Sequence, residues 1–191
     1  MQAKKLPLAL TTLALLVGVM VSSAAVADNV GSIRLKIFFK IMTYDGNFPM
    51  EAAKVRIGFV YPRSMSADEI DAAHTLFGGF SETTIHGKPF ELVDVPYETT
   101  AGLTASLRGK DLYAVFLAGS VPAGDGATIA AAATSEHLFS FAVDPTLVAS
   151  GIGAAVEITD NRPRIVINAT ACKTAGRGLD SALLALARIV Q

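Results

Sequence analysis

The sequence predicts an α/β fold: a single three-layer domain with a mostly parallel sheet, helices on both faces and an antiparallel edge pair near the C-terminus. Three observations lead there. Residues 112–117 (LYAVFL) and 165–167 (IVI) carry no charge, glycine or proline, as strands buried on both faces do. The run at residues 55–61 (VRIGFVY) passes through Pro62 straight into a helical pattern, giving a strand–turn–helix unit. Such units then repeat along the chain, with crossovers long enough to be right-handed.

Taken in order, residues 31–44 (GSIRLKIFFKIMTY) space Ile33, Ile37, Ile41 and Tyr44 by four, four and three. They read as a helix whose solvated stripe is Lys36 and Lys40. Strand is the competing reading, because Ile and Phe favour it. A helix this apolar either associates with a partner or packs over a sheet. Asp45, Gly46 and Asn47 form a turn. After the strand at 55–61, residues 66–77 form a helix started by a capping box, Ser66 with Glu69 three residues on, and Ile70, Ala73 and Phe77 line its buried face. His86, Gly87 and Lys88 turn the chain into a strand at 90–95. Thr99 or Thr100 caps a short helix at 101–107, and residues 112–117 form the central strand. A loop over 118–126 leads to an alanine-rich helix at 127–134 and a strand at 138–143. Asp144 caps a short turn. Residues 154–158 pair with 165–167 as a hairpin. Residues 169–178 read as a helical turn or loop. Asp180 caps a last helix running to Val190, with Leu179, Leu183, Leu186 and Val190 on one face and Leu184 and Ala187 widening it.

The first residues bear on compartment. Lys4 and Lys5 precede an apolar run over 8–21, and Ala25-Val26-Ala27 has the small-x-small form of a signal-peptidase site. Residues 1–27 are expected to be a cleaved signal peptide and residues 28–191 one domain. The apolar run is short for a membrane anchor, and no cysteine near Ala27 indicates lipidation. Without Lys4 and Lys5 the basic count falls from 16 to 14 against 17 acidic residues, a net charge of about −3. No segment is strongly basic, so nothing points to nucleic acid. Cys172 is the one cysteine and cannot form a disulfide within its own chain. It is either a small buried side chain or an intermolecular thiol.

The best pocket candidate is the loop containing Gly119, Ser120, Gly124, Asp125 and Gly126, at the carboxyl end of a central strand and before a helix, where α/β sheets bind ligands. It has neither a phosphate-loop Lys-Ser/Thr ending nor Gly-x-Gly-x-x-Gly spacing, and Ser120 is not in a nucleophile elbow. No cofactor is implied. His74, His86 and His137 lack metal-motif spacing. An enzyme reading would need Ser120, His74 and Asp125 brought together from afar. Arg34, Lys36, Lys40, Arg164 and Arg188 are either solvated surface or contacts to an acidic partner.

The ending carries a resemblance. Pro163, Arg164, Ile165, Val166, Ile167 and Asn168, followed by Ser181, Leu183, Leu184, Leu186, Ala187, Arg188, Ile189 and Val190, resemble the end of the YfiR-like (YfiR/HmsC-like) family of periplasmic proteins. The apolar first helix, the strand at 57–60, the strand at 112–117 and Gly151-Ile152-Gly153 extend the likeness over most of the chain. The resemblance implies a non-enzymatic periplasmic regulator that binds and restrains the periplasmic sensor domain of an inner-membrane signalling protein such as a diguanylate cyclase, with a link to cyclic-di-GMP and biofilm formation. It also implies a capacity to dimerise. Two departures stand out. The single Cys172 removes redox control through an internal disulfide, and the Trp-Pro that follows the family's first helix is missing. The alternative is a periplasmic small-ligand binding protein using the loop after the central strand.

Overall fold

The computed structural model describes residues 20–119, 121, 124–160 and 162–190, and side chains from Val30 onward. The predicted signal peptide lies mostly outside the described residues. Its last residues belong to the first helix, α1 (Met20–Met42), which begins eleven residues before the expected start. Among the described residues no helix is long and apolar enough to cross a membrane.

Strands β1 (Val55–Pro62), β2 (Thr84–Ile85), β3 (Lys88–Tyr97), β4 (Ala114–Leu117), β5 (Phe139–Ala142), β6 (Ala154–Thr159), β7 (Arg162–Asn168) and β8 (Arg188–Val190) form one sheet in the order β2-β3-β1-β4-β5-β6-β7-β8. The run β3-β1-β4-β5-β6 is parallel throughout. β6 and β7 form the expected antiparallel hairpin, Val156 opposite Ile165. A second antiparallel pair, β2 with β3, lies at the other edge, turned by His86 and Gly87, both at positive φ.

Helices cover both faces. α1, α2 (Ala67–Gly78), α5 (Ala169–Thr174) and α6 (Ser181–Leu186) supply Phe38, Phe77, Cys172 and Leu183 to one core, over Ile57, Phe59, Phe116, Phe141 and Ile167. α3 (Thr100–Leu107) and α4 (Asp125–Ser135) supply Leu103, Leu107 and Ile129 to the other, over Val60, Val95, Val115 and Leu117. Alternation along β1 and β4 divides the two sets. α1 therefore packs over the sheet. Its centre is Phe38, fully buried, with ring centroids 4.8 Å from Phe141 and 5.4 Å from Phe116. α2 starts with the predicted capping box, the Glu69 carboxylate accepting from the Ser66 amide at 3.0 Å.

The C-terminus corrects the sequence reading. The last helix stops at Leu186, Ala187 is extended (φ −99°, ψ 152°), and Arg188–Val190 run as β8 parallel to β7. The hairpin therefore sits one strand in from the edge. Leu183 is buried, but Leu186 is 72% exposed, so the expected apolar face is not continuous. The helical spacing of Leu183, Leu186 and Val190 was real, but the backbone of residues 188–190 pairs with the open edge of β7 instead.

Candidate functional site

In the parallel run, order reverses between β1 and β4. β1 passes outward to β3 on one side, and β4 passes to β5 on the other. Ligands of open α/β sheets bind outside the carboxyl ends of the strands at such a reversal. Three chain segments meet there. Arg63 follows β1 and donates its amide to the Tyr97 carbonyl at the end of β3, 2.9 Å away. Ala118 follows β4 and donates to the Val60 carbonyl at 2.9 Å. Gly119 then takes φ +76°, and a Cβ there would lie 3.0 Å from Met65 Cε, so both conformation and space ask for glycine. Gly124, at φ +96°, turns the chain into α4, whose first residue is Asp125.

Beside this reversal is a crevice of about 260 Å³ lined by Arg63, Pro96, Tyr97, Glu98, Thr99, Gly102 and Ser106. Arg63 and Glu98 form an exposed ion pair at 3.4 Å on its rim. Thr99 occupies the N-cap position of α3, but its side chain makes no capping bond. Tyr97 is 6% exposed, and its buried hydroxyl has no hydrogen-bond partner among the described residues. Burial, and then the Asp125 carboxylate, push the Tyr97 phenol above its usual range. Asp125 thus acts on Tyr97 through its charge, but no described residue of the loop predicted from sequence lines the crevice. Of that loop, Gly119, Gly124, Asp125 and Gly126 stand as described, while Ser120 lies outside the described residues. Gly126 packs into the core, where a Cβ would meet Leu147 Cδ2 at 2.9 Å, so it serves packing and not a ligand.

The predicted basic residues divide. Arg34 is half-buried, its Nε donating to the Val156 carbonyl at 3.3 Å, and burial lowers its pKa. Lys36 and Lys40 are exposed on α1, Lys40 over the Tyr44 ring at 5.2 Å. Arg164 is exposed on β7, directly across from Glu157, and Arg188 reaches the same Glu157 at 3.5 Å. Cys172 is buried, its thiol pushed up to about 12 chiefly by burial, and Sγ lies 3.4 Å from the Gly153 carbonyl. So placed, it stays protonated and out of reach of a second chain.

His74 Nε2 donates to the Asp94 carboxylate at 2.9 Å, a link between α2 and β3 that makes no bond to Asp125. Among the described residues no group of three or more His, Cys, Asp or Glu side chains could hold a metal ion.

One cluster escaped the sequence. Asp45, read only as a turn residue, is 2% exposed and accepts from Tyr113 Oη at 2.7 Å, from the amides of Asn47 and Gly178, and from Arg177 at 3.4 Å. The Arg177 guanidinium lies 4.9 Å from the Tyr113 ring centroid. Arg177 also donates to the Ala175 and His137 carbonyls, so the cluster ties the turn after α1 to the loop after α5 and to the turn before β5, an architectural role. The local Asp-Gly-Asn signal was legible; its partner 132 residues away was not.

The fold defines a class: open α/β domains with a mostly parallel sheet, here with a crevice at the carboxyl edge of that sheet. Comparison with solved structures bears this out at the level of fold. A conserved domain protein from Vibrio cholerae O1 biovar El Tor matches with TM-score 0.55 and 17% identity, over 71% of this chain and 54% of that one. An ABC domain from Streptococcus pneumonia in complex with L-Trp matches with TM-score 0.56 and 13% identity, over 84% and 62%. A substrate-binding protein with adhesive properties from Clostridium difficile, in its ligand-free open form, matches with TM-score 0.57 and 16% identity, over 72% and 54%. The matches span between about half and two thirds of the length of those proteins. No protein-family model matches the sequence, and no curated protein does.

Proposed function

We propose that the chain is an exported periplasmic binding domain, residues 28–191 after a signal peptide at 1–27, that holds a small polar ligand between the carboxyl ends of β1 and β3 and the first turns of α3. The observation that carries this is Tyr97: the residue lines a crevice beside the point where strand order reverses, and its hydroxyl, buried behind that wall and within the field of Asp125, has no hydrogen-bond partner among the described residues. A buried polar group without a partner is costly, and a ligand that supplies the missing bond recovers that cost. The fold likeness to binding proteins supports the same reading. Isothermal titration with L-tryptophan first, because one of the similar structures holds it, and then with other amino acids and small carboxylates tests it. A saturable 1:1 isotherm that weakens in Asp125→Ala is expected. Absence of heat across the panel overturns the reading.

A second role is supported by the resemblance to the YfiR-like family: restraint of a membrane-anchored signalling protein, such as a diguanylate cyclase, through its periplasmic sensor domain. Arg34, Lys36, Lys40, Arg164 and Arg188 are the proposed contacts, and a homodimer is compatible with them. Arg164 stands across from Glu157 in the β6–β7 ladder, and Arg188 reaches that same Glu157, on one face of the sheet. Binding of a purified sensor domain to the wild-type chain, and its loss on reversing these charges, is the test. Ligand in the crevice and partner affinity would then be linked reciprocally.

A further inference from the structure

The sheet is unfinished at its C-terminal edge. β8 pairs only with Val166, Ile167 and Asn168, so the first half of β7, Arg162 to Ile165, has β6 on one side and no strand on the other among the described residues. A slot of about 590 Å³ runs along that edge, lined by Ile37, Thr159, Asp160, Arg162, Pro163, Arg164, Ile165 and Leu186. Its two sides differ. Ile165 and Ile167 pack with the α1-side core, whereas Val166 packs with Val148 and Ala155 on the opposite face. By strand alternation, Arg162 and Arg164 share the face of Val166. The α1 side of the slot is therefore apolar (Ile37, Ile165, Leu186), and the other side is basic. Leu186 is 72% exposed, and Ile189 beside it 42%. Arg162 and Arg164 form no ion pair among the described residues, and Arg188 adds a third guanidinium to their face, so three arginines stand against two acids, Glu157 in the ladder and Asp160 at the slot's end.

From this we infer that the slot receives an extended segment of another protein whose residues alternate between apolar and acidic. An extended chain sends successive side chains to opposite sides, so one set would fill the apolar side while the other met the arginines. Charge complementarity commits the occupant to an acidic one. Pro163 has no N–H to offer, which prevents indefinite strand addition at this edge and leaves recognition to the side chains. The inference rests on the second reading above, that the partner is a protein, and is independent of the crevice at Tyr97.

The test is fluorescence anisotropy of the full chain with a labelled Val-Glu-Val-Glu-Val-Glu peptide and its Val-Lys counterpart. The acidic peptide is expected to bind at least about tenfold tighter, with an affinity that falls as salt rises. Leu186→Asp and the pair Arg162→Glu/Arg164→Glu should each weaken it at least about fivefold, since each removes one side of the recognition. Lys173→Glu, exposed on α5 away from the slot, should leave it unchanged. These positions are exposed, and a thermal melt of each variant confirms folding. Equal binding of both peptides, no binding, or indifference to the slot substitutions overturns the inference. Concentration-dependent dimerisation abolished by Leu186→Asp overturns it too, in favour of a second copy. If the peptide fails while a purified sensor domain still binds and loses affinity in Lys36→Glu, the slot is wrong and the partner reading stands.

Discussion

Asp45 and Arg177 meet at 3.4 Å although 132 residues separate them, the carboxylate almost fully buried and the guanidinium lying over the ring of Tyr113. The pair joins the turn after α1 to the loop after α5, and the Tyr113 hydroxyl at the start of β4 completes it. Removing one partner of a buried ion pair leaves an uncompensated charge, at a cost of about 3–5 kcal/mol. Asp45→Ala should therefore shift a urea unfolding midpoint strongly. Asp45→Ala combined with Arg177→Met should recover part of the loss. A single mutant as stable as wild type would show that the cluster does not hold these segments.

Alkaline pH should weaken the fold through the same region. Burial, then Asp45, raises the Cys172 thiol to about 12, and burial with the Asp45 bond raises the Tyr113 phenol as well. Both groups keep their protons in the folded chain and lose them in the unfolded one near their ordinary values. The folded chain then binds more protons, so stability is intact below about pH 8.5 and falls as pH rises toward 12, by about 1.4 kcal/mol per unit for each group. Urea melts at pH 8, 9.5 and 10.5 should show the decline, and Cys172→Ala should flatten it. Ellman's reagent should label Cys172 only in denaturant.

The terminal helix separates two leucines that the sequence treats alike. Leu183→Ala should cost about 2–5 kcal/mol, because Leu183 is 1% exposed in the α1-side core. Leu186→Ala should cost no more than about 0.5 kcal/mol. Thermal melts of the two single mutants distinguish the observed break at Ala187 from a helix continuing to Val190, in which both would destabilise.

Why was one leucine legible and the other not? Local signals were sound. Ser66 and Glu69 announce a helix start from within four residues, and the apolar wrap of α1 around Phe38 announces packing on a sheet. Patterns decided by distant partners were not. The period of Leu183, Leu186 and Val190 fits a helix, but the open edge of β7 offers backbone hydrogen bonds that outweigh the propensity of the last three residues. The same holds for the site. Gly119, Gly124 and Asp125 could be placed at a strand's carboxyl end from their neighbours alone. No local signal marks Tyr97, because its place depends on β3 lying beside β1 and on the charge of Asp125 at the start of α4.

That dependence gives the crevice its most discriminating substitution. Tyr97→Phe deletes a hydroxyl that is buried and unpartnered among the described residues, while keeping the ring that packs with Val60, Leu103 and Leu117. If the hydroxyl serves only the fold, its removal changes nothing else. The empty protein should in fact be unchanged or more stable by about 1 kcal/mol, because an unsatisfied polar group is lost without a cavity. If the hydroxyl waits for a ligand, binding must suffer in the same variant, by about fivefold or more, the value of one buried hydrogen bond. A stability that holds or rises together with an affinity that falls cannot come from damage to the core. Paired melts and titrations of Tyr97→Phe read both quantities, and a variant that binds as tightly as wild type would remove Tyr97 from the site.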